Sequence, residues 1–407
     1  MSAIEFIEGG VTAPAGFRAA GVHAGFRANP ARRDAALVVS DREGTAAAGT
    51  FTCNVFCAAP VRLSRTVAQG GRARAVILNS GNANAATGKP GDEVALESQR
   101  ITAEALGVPQ GEVFVASTGV IGVQLPLEPF RSGLPQLVAA MERSPQAAAA
   151  AAQAIMTTDT VAKECAVSFE AEGVRCTIGG MAKGSGMIMP NMATMLAVLT
   201  TDAALEPAAL RQALKAAVDR SFNKVTVDSD TSTNDSCFCL ANGAAGSPLL
   251  QPGTAGYDAF CQALGELCEN LARKMAADGE GASKLVTVTV REAASAEDAD
   301  KAARTIANSP LVKTAIAGHD CNWGRIAAAL GRSGAAFRQE DVDIDIMGMP
   351  VMRAGLPCGF DEDEALRRFE EPEITIDVAL AAGEHATRMW TCDFTHDYIS
   401  INADYRS

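Results

Sequence analysis

Aromatic residues are scarce in this chain, 5% of 407 residues, although 48% of the residues are hydrophobic. Such a core is built from small side chains and close backbone approaches rather than from large aromatic anchors. No stretch of ~18 apolar residues occurs, so no bilayer-spanning helix is expected. Met1-Ser2-Ala3-Ile4-Glu5-Phe6 lacks the basic and apolar regions of a signal peptide, and a cytoplasmic protein is expected. Basic residues are outnumbered, 35 against 48 acidic, for a formal charge of −13. That balance argues against a nucleic-acid or anionic-membrane partner. Only four histidines are present, His23, His319, His385 and His396. None sits in an H-E-x-x-H motif and no G-x-S-x-G elbow occurs, which argues against a zinc hydrolase and a serine triad. The eleven cysteines are odd in number and form no C-x-x-C pair, so they read as reduced, mostly buried thiols.

What remains is a globular chain, long enough for two or three domains at ~150 residues each. Strands are predicted over 34–39 and 73–78, the second running into Asn79-Ser80-Gly81-Asn82-Ala83-Asn84, and over 113–116, ending at Ser117-Thr118-Gly119. Loops just past strands commonly carry ligand-binding groups. Ser144-Pro145 opens a helix that should end near Thr157, and a hairpin follows over 165–178, turning at Glu172-Gly173. A buried strand is expected over 196–199. Glu206-Pro207 starts a helix with Leu210, Leu214 and Val218 inward, and Phe260, Leu264, Leu267, Leu271 and Met275 mark a longer one. Past Gly281 the pattern reads strand (285–290), helix from the Ser295 cap, then strands over 311–317, 342–347 and 374–380. A soft boundary falls near residue 285: a main domain over 1–285 and a smaller α/β domain over 286–407.

The stretch Gly179-Gly180-Met181-Ala182-Lys183-Gly184-Ser185-Gly186 invites a phosphate-loop reading. A Walker loop needs its lysine after the last glycine, and here Lys183 precedes Gly184; Pro190 also follows too soon for a helix. A second reading takes Ala193-Thr194 as a working bond. A threonine hydroxyl is a poor nucleophile without a base beside it. Self-cleavage immediately before Thr194 would free an α-amine of pKa ~8 within reach of Oγ, where it can serve as that base. On composition alone, a glycine loop entering a core strand with a buried threonine stands beside that reading.

The run Lys183-Gly184-Ser185-Gly186-Met187-Ile188, followed by Pro190-Asn191-Met192-Ala193-Thr194-Met195-Leu196, resembles the self-cleavage site of the ornithine acetyltransferase family, the glutamate N-acetyltransferases of arginine biosynthesis. The resemblance covers almost the whole chain. Gly10-Val11-Thr12-Ala13-Pro14, Asn79 to Ala85 and Ala116-Ser117-Thr118-Gly119-Val120-Ile121-Gly122 match family signatures. So do Met156-Thr157-Thr158-Asp159-Thr160, Asp230-Thr231-Ser232-Thr233-Asn234-Asp235, Asp278-Gly279-Glu280-Gly281-Ala282, Asn322-Trp323-Gly324-Arg325 and the C-terminal Ile401 to Arg406.

The resemblance implies an α+β fold: a layered α-β-β-α sandwich of the N-terminal-nucleophile type, with a smaller C-terminal α/β domain. It implies cleavage between Ala193 and Thr194, and a ping-pong cycle in which Thr194 takes acetyl from N2-acetylornithine and passes it to glutamate, releasing ornithine. Thr118 and Gly119 match the oxyanion-hole positions. Thr157, Lys183, Thr194, Glu280, Asn402 and Ser407 match the substrate-binding positions. Lys183 suits a carboxylate and Glu280 the cationic end of ornithine. No metal or cofactor is implied, and use of acetyl-coenzyme A as a second acetyl donor is left open. The two fragments are expected to stay associated, as an α2β2 heterotetramer.

Three places depart from the family pattern. Ser407 stands where threonine is usual, Cys321 where proline often precedes the Asn322 motif, and apolar and thiol residues, Cys53 and Cys57 among them, enter the segment from Phe51 to Pro60. None touches the nucleophile; substrate range is what they bear on. The alternative activity is an N-terminal-nucleophile amidohydrolase or aminopeptidase with water as acceptor.

Overall fold

The computed structural model describes residues 4–189 and 195–404. Two compact units result, one of Met1–Asn223 with Thr231–Leu271, the other of Lys224–Asp230 with Ala272–Arg406. The division falls inside a helix, Ala255–Ala277.

In the first unit the chain runs β1 (Glu5–Ile7), β2 (Phe17–Val22), β3 (Ala35–Ser40), β4 (Ala46–Phe51), α1 (Ala59–Gly70), β5 (Ala75–Asn82), α2 (Gly88–Leu106) and β6 (Val113–Val120). It continues through α3 (Glu128–Ala140), α4 (Pro145–Ala154), β7 (Lys163–Ala171), β8 (Val174–Lys183), β9 (Leu196–Thr201), α5 (Pro207–Arg220), β10 (Ser236–Ala241) and α6 (Ala255–Ala277). These strands form a six-stranded sheet, order β1-β7-β8-β9-β10-β4, and a four-stranded sheet, order β2-β3-β5-β6.

Strand alternation decides how the layers stack, because successive side chains point to opposite faces. Ala36 and Val38 of β3 pack with Val76, Leu78, Phe114 and Ala116 against Met181, Val198, Phe238 and Leu240 of the larger sheet. Ala35, Leu37 and Val39 point the other way, with Ile77, Val113 and Val115, onto Ala103 of α2 and Phe130, Leu134 and Leu137 of α3. On the far side, α5 packs on β4 and β10. There Gly180 leaves room for Leu267 and Leu271 of α6 beside Leu199. The first unit is therefore the expected α-β-β-α sandwich. Helices α1 and α4 close its edges, α1 touching β6 and β4, α4 touching β2, β7 and β8.

The second unit carries β11 (Leu285–Ala293), α7 (Ala296–Ala307), α8 (Pro310–Ala317), α9 (Trp323–Gly331), β12 (Asp343–Ile346), β13 (Met349–Arg353), β14 (Leu356–Pro357), α10 (Glu362–Arg368), β15 (Glu373–Ala379), β16 (His385–Cys392) and α11 (His396–Asp404). Its sheet runs β14-β13-β12-β15-β11-β16. Val286, Val288 and Val290 share one core with Ala302, Ile306, Val312, Ile316 and Leu330 of α7, α8 and α9.

One predicted strand, over 311–317, is a helix. Ser309 caps α8 by accepting from the Val312 N–H, and Pro310 takes the first turn, where its missing N–H costs nothing. Val312, Ala315 and Ile316 then fall on one buried stripe. Seven of the eleven cysteines are buried. No helix among the described residues is long and apolar enough to cross a membrane.

Phe238 ties the two sheets of the first unit together: its ring stacks on Phe114 at 4.5 Å between centroids and meets Phe51 edge-on at 6.0 Å. Phe238→Ala should cost roughly 3–5 kcal/mol in denaturant unfolding.

Candidate active site

In the first unit the site begins at the ends of two parallel strands. β5 and β6 run side by side with Ser80 opposite Thr118 and Gly81 opposite Gly119, and the register breaks at Asn82. Gly119 has φ +134°, and a Cβ there would run into the Gly81 carbonyl carbon and the Asn82 nitrogen. Only glycine fits so close an approach. Thr118 is buried, 6% exposed, and its hydroxyl makes no hydrogen bond among the described residues. The loop is braced from below: Ser117 Oγ donates to Asn79 Oδ1 at 2.6 Å, and Asn79 Nδ2 to the Asn82 carbonyl at 3.0 Å.

The segment 231–235 connects this loop to the start of β9. Asn234 Nδ2 donates to the carbonyls of Ser117 at 2.8 Å and Ala83 at 2.6 Å. The next residue, Asp235, accepts the Met195 N–H on Oδ1 at 2.8 Å, and the Ser236 N–H donates to the Met195 carbonyl at 3.0 Å. Both backbone groups of Met195 are thus held by two consecutive residues. Loop 52–58 pins the same segment, through Thr52 Oγ1 to the Ser232 carbonyl at 2.7 Å and Asn54 Nδ2 to the Thr231 carbonyl at 2.8 Å.

Lys183 ends β8 directly opposite Leu196. It is buried, with Nζ 3.9 Å from Asp159 Oδ2. Asp159 also takes Lys163 Nζ at 2.7 Å, the Gly184 N–H at 2.8 Å and the Thr157 N–H at 3.0 Å. Burial opposes the Asp159 charge, but Lys183 and Lys163 overcome it and hold the carboxyl well below the usual range. Thr157 is fixed from the other side by Arg32, which donates to its carbonyl at 2.9 Å, while Arg27 takes the Met156 carbonyl at 2.8 Å.

In the second unit, Asn402 Nδ2 of α11 donates to Glu280 Oε2 at 2.8 Å. Glu280 is 8% exposed. Burial pushes the Tyr398 hydroxyl upward, and Asp228, Glu280 and Asp230 add to that shift. Three carboxylates therefore converge on one neighbourhood. Tyr398 stacks on Phe394 at 4.7 Å, and Phe394 lies under the buried Lys313 ammonium at 4.4 Å.

Several known proteins are similar to this chain along nearly its whole length. The arginine biosynthesis bifunctional protein ArgJ of Symbiobacterium thermophilum is 52% identical over 405 residues, covering 99% of this chain and 100% of that protein. The protein of the same name from Chlorobaculum tepidum is 48% identical over 396 residues, 97% of this chain and 96% of its own. The ArgJ family profile matches residues 18–407. This chain belongs to the ArgJ family. Among solved structures, the arginine biosynthesis bifunctional protein argJ from Bacillus halodurans is 43% identical with a TM-score of 0.50, covering 51% of this chain and 97% of that one.

Of the residues expected to act in an ArgJ-family site, Thr118, Gly119, Thr157 and Lys183 fall in the first unit, and Glu280 and Asn402 in the second. Ala193, Thr194 and Ser407 lie outside the described residues. Asp159, Asn234 and Asp235 were absent from the expected set. Each sits in a quoted motif, and Asp235 directly precedes the apolar run Ser236-Cys237-Phe238-Cys239-Leu240, a placement that draws a carboxyl into the core.

Asp159 generates a stability prediction. A carboxyl held low stabilises the fold fully above the unfolded value, ~3.9, and that contribution fades as pH falls through the lower folded value. Asp159→Asn removes the carboxylate that pairs with the fully buried Lys163 at 2.7 Å. The loss should be roughly 3–5 kcal/mol at pH 7 in denaturant unfolding, and the gap to wild type should narrow below pH ~4.

Proposed function

We propose that this chain transfers acetyl from N2-acetyl-L-ornithine to L-glutamate through an ester on Thr194, after cutting itself between Ala193 and Thr194. The observation that carries this reading is the Asn234-Asp235 pair. One residue holds the Ser117 carbonyl beside Thr118; the next holds the N–H of Met195, the residue after Thr194. The loop that carries the candidate oxyanion donors and the residue that follows the candidate nucleophile in sequence are thereby tied to one dipeptide.

The chemistry follows from residue types. The Thr194 α-amine takes the Oγ proton as Oγ attacks the acetyl carbonyl. The Thr118 hydroxyl and the Gly119 N–H stabilise the oxyanion, an effect worth a few kcal/mol per donor. Ornithine leaves, glutamate enters, and the reverse steps deliver the acetyl group to its α-amine. The Lys183 ammonium, near Asp159 and close to Thr157 in the fold, suits a substrate carboxylate. Glu280, with Asp228 and Asp230 near Tyr398, suits the ornithine side-chain cation. The word "bifunctional" in the relatives' names supports a second acetylation, with acetyl-coenzyme A as donor.

Cleavage before Thr194 would give fragments of 193 and 214 residues out of 407. The Bacillus halodurans chain, matched over 97% of its length by 51% of this one, has the size of one such fragment. We propose that the fragments stay together, because β9 pairs with β8 on one side and β10 on the other. Separation would expose their shared core at roughly 25 cal/mol per Å². The fragments would assemble as α2β2 in the cytoplasm.

Mass spectrometry after incubation with N2-acetylornithine tests the reading. Two fragments are expected, the second heavier by one acetyl group, and Thr194→Ala should remain one chain without activity. Acetate released at a glutamate-independent rate would mark a hydrolase instead. Thr118→Val keeps the side-chain shape and removes the hydroxyl; kcat should fall roughly a hundredfold or more with KM little changed. A raised KM alone would make Thr118 a binding residue.

A further inference from the structure

The loop between β2 and β3, residues 23–34, has no task in the mechanism above. It carries Arg27, Arg32 and Arg33, and its one acidic residue is Asp34. Sheet register places this loop beside the site. Val22, Ala35, Asn79 and Ser117 stand in one row across the four-stranded sheet. The loop and the Thr118–Gly119 segment leave the sheet on the same side of that row, where the Ser80 N–H donates to the Asp34 carbonyl at 2.9 Å. With neighbouring strands ~4.8 Å apart, Ala35 lies roughly 10 Å from Ser117.

The loop turns its carboxylate inward and its guanidiniums outward. Asp34 has no side-chain exposure and accepts the N–H groups of Ala24 at 2.6 Å and Arg27 at 2.9 Å. Arg32 and Arg33 are exposed. Arg32 donates to the Thr157 carbonyl, and Arg33 to the Gly21 carbonyl at 3.1 Å and to Gln153 Oε1 at 2.6 Å. Neutral acceptors therefore aim both guanidiniums, and neither has a carboxylate partner among the described residues. Such a pair suits phosphate, whose oxygens match the planar guanidinium fork. A polyanion approaching a chain of formal charge −13 is repelled overall, so its capture needs a local positive field beside the site.

Of the two acetyl donors considered above, only coenzyme A carries phosphates, and its pantetheine arm sets them well away from the thioester. We propose that Arg32 and Arg33 bind the phosphate groups of acetyl-coenzyme A while its thioester lies at the Thr118–Gly119 loop. This rests on the acetyl-coenzyme A reading above. N2-acetylornithine has no phosphate to offer the loop, so the two donors should differ in their need for it.

Arg33→Glu and Arg33→Lys in the full chain test this, because Arg33 does not touch Thr157 or Ser80. Initial rates of acetylglutamate formation are measured with each donor, beside thermal unfolding. Arg33→Glu should raise the KM for acetyl-coenzyme A at least about tenfold and leave kcat and KM for N2-acetylornithine within about twofold of wild type. Arg33→Lys, which keeps the charge, should hold the acetyl-coenzyme A KM within about threefold. In wild type that KM should rise with added sodium chloride, and less steeply in Arg33→Glu. An unchanged acetyl-coenzyme A KM in Arg33→Glu overturns the proposal. An equal rise for both donors overturns it too, since the loop would then only support the site's structure. If Arg33→Glu does not fold, Arg33→Gln is read by the same criteria. A wild type that uses N2-acetylornithine but not acetyl-coenzyme A removes the acetyl-coenzyme A reading, and this site with it. A wild type that uses both, with Arg33→Glu unchanged, removes only the site.

Discussion

The carboxylate of Asp159 is the interaction on which the first unit's site depends. It lies on the loop before β7, yet it binds the first residue of β7, the residue after β8 and the backbone of Thr157. A buried charge is expensive, and it persists only where donors replace the lost water. Asp159 has three direct hydrogen bonds and a second lysine at 3.9 Å. Since all the donors must converge on one point, the loop, the hairpin and the glycine segment have one arrangement that satisfies them. Thr157 and Lys183, both expected to meet substrate, are thus placed by a residue that need not touch it.

Much of this was legible in the sequence because the elements announce themselves locally. The helices that begin at Pro145 and Pro207, the β7–β8 hairpin turning at Glu172-Gly173 and the buried strand at Leu196 follow from caps, turn residues and apolar periodicity. α8 shows where that reading ran short. Ser309-Pro310 is the same start signal as Ser144-Pro145, and both serines cap in the same way. An alanine run after the first left helix as the natural reading, whereas Leu311-Val312 and Ile316 after the second suited a strand equally well. A short apolar run does not decide between the two periods without its tertiary partners.

The site divides along the same line. Motifs marked Thr118, Gly119, Thr157, Lys183, Glu280 and Asn402 by their family pattern, and the hydrogen bond between Glu280 and Asn402 joins segments 122 residues apart. What local pattern does not carry is which carboxyl serves which backbone group. Asp159 meets Gly184, and Asp235 meets Met195, across separations of 25 and 40 residues. Those partnerships are set by sheet register, Lys183 against Leu196 and Leu196 against Ser236, and a single sequence does not state register.

The two buried aspartates show what such partnerships can do. Both are removed from water, and both accept a backbone N–H. Asp159, with Lys163 and Lys183 about it, is held well below the usual carboxylate range; at Asp235 burial outweighs the Met195 N–H and the Lys183 charge and pushes the carboxyl well above it. The difference lies in the charges about each. The second falls beside the residue that follows Thr194, at the head of the strand that β8 and β10 hold between them.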